Sequence, residues 1–142
     1  NLLLNCIEDP PCEDDQMTSR DSLRTLHVFY LNIGPIYGTH IGATIFYQEH
    51  AFIIMTTSAE ENTFPHEFGH ALYHTNYGLK GNDPISNKPH NDDPDNLMYS
   101  KGKEGIMKLE KKQLDAKEYS YLTNPHVLHD HTPPFMKNFI ID

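Results

Sequence analysis

Residues 66–70 read His66-Glu67-Phe68-Gly69-His70. Two histidines four apart on a helix are separated by about 400° of rotation and about 6 Å along the axis, so their rings stand nearly one above the other. So placed, both imidazoles can converge on one Zn2+ at about 2.0–2.1 Å. Glu67, beside the first of them, can reach a water on the metal without taking a coordination position. Zinc lowers the pKa of such a water toward about 7, and a carboxylate can take its proton as it attacks a carbonyl. The pattern predicts His66 and His70 as zinc ligands and Glu67 as general base.

The elements that must position these residues follow from periodicity and punctuation. Residues 26–31, 39–47 and 51–56 are rich in β-formers and read as three strands, with turns at Gly34-Pro35-Gly38 and at residues 48–50. Gly42 inside the second strand fits a bulge or a close backbone approach. Ser58 with Glu61 three residues later is a capping-box pattern. Pro65 is tolerated in a first turn but not inside a helix, so either the helix begins near Thr63 or a short turn precedes it. Helical character then runs over residues 64–77, with Gly78 as its stop. Residues 79–96 read as a loop. Residues 109–122 read as a second helix, with Leu109, Leu114, Ala116, Tyr119 and Leu122 on its apolar face.

Composition narrows the function classes. The chain has 142 residues, a formal net charge of −9, 10 His, 2 Cys and no Trp. One domain of this length can bury a core. Residues 1–24 read as an irregular acidic lead-in and 124–142 as a tail. The acidic balance argues against nucleic acid, which needs a basic face. No apolar run approaches the roughly 18–20 residues of a membrane span. No charged region precedes an apolar stretch at the start, so no signal peptide is expected. A Cys6–Cys12 disulfide, set against two unpaired thiols, would imply an oxidising, secreted or cell-envelope location. His126, His129 and His131 read as a solvated tail rather than a second metal site. His27, His40 and His50 have no metal spacing and read as structural.

A catalytic zinc needs a third protein ligand and an open position. His74 continues the four-residue row but lies about 12 Å along the helix from His66, out of reach unless the helix breaks at Tyr73. Asn76 is a poor zinc ligand. Asp92 and Asp93 are further candidates, beside His90.

Residues 90–100 read His90-Asn91-Asp92-Asp93-Pro94-Asp95-Asn96-Leu97-Met98-Tyr99-Ser100. With the 66–70 motif, this segment resembles the metzincin metallopeptidases, above all their matrixin-like branch. There a third ligand histidine is followed eight residues later by a methionine, in a tight turn beneath the metal and within a Leu-Met-Tyr segment. His90 and Met98 are eight apart, and Leu97-Met98-Tyr99 is intact. The resemblance covers about residues 25–123. It implies an α+β zincin-like fold: a mixed twisted sheet, a zinc-binding active-site helix, a Met-turn and a C-terminal helix. It implies His90 as third ligand, ahead of the aspartates and His74, and a structural role for Met98. It implies an extended peptide pairing with the edge strand at Gly42, Ala43 and Thr44, and a specificity-pocket wall at Tyr99 and Ser100, running to Gly102. Lys101 and Lys103 there would favour acidic side chains.

The chain departs from the family in one respect. Where the family has a glycine three residues after the second histidine and its third ligand three beyond that, this chain has Tyr73 and Asn76. His90 lies 24 residues after His66 where the family's spacing is 10, so the loop before it is longer. The expected activity is zinc-dependent endopeptidase cleavage of a protein or peptide substrate by a monomer. The alternative is a catalytically inactive zinc-binding or partner-binding protein on the same fold, against which the intact Glu67 argues. The DNA–protein crosslink proteases, which also take a late third histidine, are disfavoured by the negative charge.

Overall fold

The segment His50-Ala51-Phe52-Ile53-Ile54-Met55 alternates in burial, as a strand with one covered face must. In the computed structural model, which describes residues 25–47, 50–75, 78–101 and 104–123, it forms the central strand of a three-stranded mixed sheet. β1 (His27–Tyr30) pairs parallel to β3 (His50–Met55), and β2 (Gly42–Tyr47) pairs antiparallel to it, giving the order β1-β3-β2. The register sets Gly42, Thr44 and Phe46 opposite Met55, Ile53 and Ala51, so these six residues share one face. On that face lies α1 (Thr63–Leu72), and Ala51, Ile53, Met55 and Ala71 form the core between them. A second small cluster of Tyr73, Leu79, Met98 and Ala116 lies beyond the helix end.

β1, β2 and β3 lie within the three stretches expected as strands, although β2 begins only at Gly42 and His50 belongs to β3. The helices differ more. α1 starts at Thr63, and residues 57–58 and 61–62 are turns rather than a capping box. Pro65 falls in the first turn, where its missing N–H has no helical partner to lose.

The helix does not run on to Gly78. It ends at Leu72, with Tyr73 at φ −89° and ψ 7°. Tertiary contacts replace the expected stop. The Tyr73 carbonyl accepts the Gly81 N–H at 3.0 Å, and the His74 carbonyl accepts the Tyr121 N–H at 3.1 Å. Both carbonyls are satisfied from outside the helix, which removes the need to continue it.

The second helix is also shorter than its pattern. α2 spans Lys111–Ala116, followed by a single 3₁₀ turn, Lys117–Tyr119. Leu109 and Leu114, assigned to its apolar face, are exposed, and the buried residues are Gln113 and Ala116. The face turned inward is chosen by a polar partner, described below, which hydrophobic periodicity does not register. No helix among the described residues is long and apolar enough to cross a membrane. The lead-in with Cys6 and Cys12, the tail with His126, His129 and His131, and Asn76, Tyr77, Gly102 and Lys103 lie outside the described residues.

Candidate metal centre

α1 carries two histidines on the side facing the loop that returns from its own C-terminus. The ring centroids of His66 and His70 are 4.8 Å apart, at 82° to each other. The loop brings His90 to 5.3 Å from His66 and 5.4 Å from His70, a nearly equilateral triangle. One ligand atom from each of the three lies within 4.8 Å of the others. His74 is buried elsewhere, stacked on Phe46 at 4.5 Å and near Tyr121 at 5.2 Å. Asp92 and Asp93 are exposed and are not part of the cluster.

Backbone carbonyls decide which ring nitrogens face one another. His66 Nδ1 lies 2.7 Å from the Leu97 carbonyl, and His70 Nδ1 lies 2.7 Å from the Gly81 carbonyl. A carbonyl oxygen only accepts, so both Nδ1 atoms carry the hydrogen, which leaves Nε2 as a lone pair in each neutral ring. The two Nε2 atoms are 3.1 Å apart. Burial, with smaller contributions from His66 and His90, draws the His70 pKa down to about 4, so this ring is neutral near pH 7. Burial, then the neighbouring His66 and His40, also lowers that of His90. Two facing lone pairs repel unless a cation lies between them. Tetrahedral bonds of about 2.0–2.1 Å would set such nitrogens about 3.3 Å apart. Three imidazoles, two of them steered by carbonyl acceptors, are a donor set that fits zinc.

Glu67 projects from α1 toward β2. It is 8% exposed, and Thr44 Oγ1 lies 2.7 Å from its Oε2 and 2.8 Å from its backbone carbonyl. Burial raises its pKa above the usual carboxylate value, against the lowering effects of the Thr44 hydrogen bond and of His66 and His40. The close approach depends on Gly42: a Cβ there would stand 2.7 Å from Thr63 Cγ2 and 3.1 Å from Glu67 Cγ. Gly69 plays the matching part on the other side of the helix, where a Cβ would meet Met98 Sδ at 2.5 Å. Met98 is fully buried beneath the turn that supplies the Leu97 carbonyl.

Two cavities open beside these groups. One of about 320 Å³ is bordered by Gly42, Thr63, His66, Glu67 and His90, with Leu97, Tyr99, Ser100 and Met107 on its far wall. Lys101 and Glu60 both line it, so its charge is mixed. The other, of about 280 Å³, runs along β2 past Gly42, Ala43 and Thr44 to His70 and Gly81. β2 is an edge strand, so one side of its backbone is free for pairing among the described residues. Among the described residues, His66, Glu67, His70, His90, Gly42, Ala43, Thr44, Tyr99 and Ser100 each line one of the two cavities, while Met98 is fully buried and lines neither. The Thr44 side chain serves Glu67.

His40 was assigned no role in the site, yet it lines both cavities and acts electrostatically on Glu67 and His90. It lies before β2, bridged to Ile36, so strand alternation from Gly42 does not place it. The carbonyls of Gly81 and Leu97 were also missed, because any residue type offers a backbone acceptor. Compared with protein-family models, with curated proteins and with solved structures, the chain matches none.

Proposed function

We propose that this protein is a zinc-dependent endopeptidase with a zincin-like domain of the metzincin type. The observation that carries the reading is the convergence of His66, His70 and His90 beside a buried carboxylate at the head of a cleft. His66 and His70 through Nε2, together with His90, would hold the metal beside the two cavities. When bound, zinc supplies a Lewis acid beside Glu67.

The chain's own residues do the rest. An extended peptide adds to the free edge of β2 by main-chain hydrogen bonds. That pairing lays the scissile carbonyl across the mouth of the cleft. Thr44 donates to Glu67 Oε2 and fixes the carboxylate. The other oxygen, Oε1, takes the proton of the water that attacks the carbonyl and hands it to the departing amine. The cavity walled by Leu97, Tyr99 and Met107 receives the side chain after the scissile bond. Glu60 opposes Lys101 there, which weakens the case for strictly acidic side chains.

Incubating the zinc-loaded protein with a proteome-derived peptide library, read by mass spectrometry, tests the reaction class. The wild type should cut, and Glu67→Ala should retain zinc while its rate falls by about 10²–10⁴-fold, the usual contribution of a positioned base. Zinc binding without any cleavage by the wild type would sink the endopeptidase reading and leave a binding protein.

A further inference from the structure

A buried polar assembly joins the segments that flank the histidines. Asp83, Gln113 and Asn96 are 0%, 1% and 1% exposed. A buried carboxylate is costly unless donors answer it, and Asp83 has three. Its Oδ2 accepts the Ser86 N–H at 2.9 Å and Asn91 Nδ2 at 3.0 Å, and its Oδ1 accepts Gln113 Nε2 at 2.6 Å. Gln113 and Asn96 pair amide to amide: Nε2 to Oδ1 at 2.9 Å, Nδ2 to Oε1 at 3.0 Å. Asn96 Oδ1 also accepts the Met98 N–H at 2.9 Å, and Gln113 Oε1 accepts the Glu110 N–H at 2.8 Å.

Three of the segments held by this network each adjoin one of the three histidines. Leu97, whose carbonyl aims His66, lies between Asn96 and Met98. Gly81, whose carbonyl aims His70, is two residues before Asp83. The His90 carbonyl accepts from Ser86 Oγ at 2.9 Å, and the next residue, Asn91, donates its N–H to the Met98 carbonyl at 2.8 Å. An apolar filling of the same space would hold these turns together without fixing their direction. Paired amides and a carboxylate fix the register, because Gln113 Nε2 places one hydrogen on Asp83 Oδ1 and the other on Asn96 Oδ1 while its Oε1 accepts from Asn96 Nδ2.

We propose that Asp83, Gln113 and Asn96 are positioning residues of the metal centre. Through the Gly81 and Leu97 carbonyls and the His90 backbone, they set where all three ligand rings point. The inference rests on the reading of His66, His70 and His90 as a metal site, and its test separates the two.

The probe is Co2+ added to the whole protein, followed by its visible d–d absorption and by chelator competition. Gln113→Glu keeps the side-chain shape but replaces the Nε2 donor with an acceptor. Asn91→Ala removes one of the three donors to Asp83 and is the milder change, should the first fail to fold. Ile53→Val, in the sheet core away from the network, is the control for general destabilisation. The network variants should bind Co2+ about 10–100-fold more weakly than wild type and with an altered d–d spectrum, while Ile53→Val keeps both. Network variants that are folded by circular dichroism, with wild-type affinity and spectrum, would overturn the proposal while leaving the metal site standing. A wild type that binds no Co2+ would overturn the metal reading and this one together.

Discussion

His66 and His70 each give one ring nitrogen to a backbone carbonyl and turn the other toward His90. The carbonyl acceptors fix the tautomer and aim of both rings, as outer partners do for metal-ligating histidines. His90→Ala removes one of three donors. It should lower zinc affinity by more than the about 10–100-fold typical of losing an outer partner. His74→Ala, although also buried, should leave zinc affinity unchanged and lower stability alone. Equilibrium competition with a chelator checks both, and equal losses would mean that the third ligand is misassigned. The motif made His66, Glu67 and His70 legible from spacing, and His90 stood out only through Met98 eight residues on. The Gly81 and Leu97 carbonyls were not legible, since a backbone acceptor has no residue signature, and His40 was not legible because it has no metal spacing and reaches the cleft from the turn before β2.

At the scale of elements, α1 is clamped between β2 and the Met98 turn, with a glycine at each contact. Gly42 admits Thr63 and Glu67, and Gly69 admits Met98. Gly69→Ala would place a methyl 2.5 Å from the Met98 sulfur, in a site with no exposed surface. Helix propensity favours alanine by about 1 kcal/mol, yet overpacking costs about 1–3 kcal/mol. The net effect should be destabilisation, together with weaker zinc binding, because the displaced turn carries the Leu97 carbonyl. A thermally stabilised Gly69→Ala protein would contradict this packing. The strands were readable because β3 alternates cleanly over six residues. The end of α1 was not, because Gly81 and Tyr121 stop it from outside rather than a glycine within it. The inward face of α2 was misread for a related reason: Gln113 is buried by its amide partners, and Leu114 beside it is exposed.

Across the whole molecule, buried polar side chains outnumber buried apolar ones among the described residues. The apolar core is split into two small clusters, one under the sheet and one beyond the helix end. The three histidines lie where α1 meets the returning loop, so a metal there would cross-link the two clusters. Stability should therefore depend strongly on metal. Free zinc at about 1,000 times its dissociation constant adds about 4 kcal/mol by mass action. Chelation should lower the melting temperature by many degrees, and stoichiometric zinc should restore it. An unchanged melting temperature after verified zinc removal would argue against a cross-linking ion. The strands and helices were legible from residue patterns, and the α+β class with a mixed sheet was what the resemblance implied. The polar interior did not, because amides far apart in sequence give no periodic signal until the fold brings them together.

Crystals grown with zinc and measured on either side of the zinc absorption edge should show an anomalous peak about 2.0–2.1 Å from Nε2 of His66, Nε2 of His70 and one ring nitrogen of His90. A peak held by other residues, or none between these rings at full zinc loading, would contradict the account.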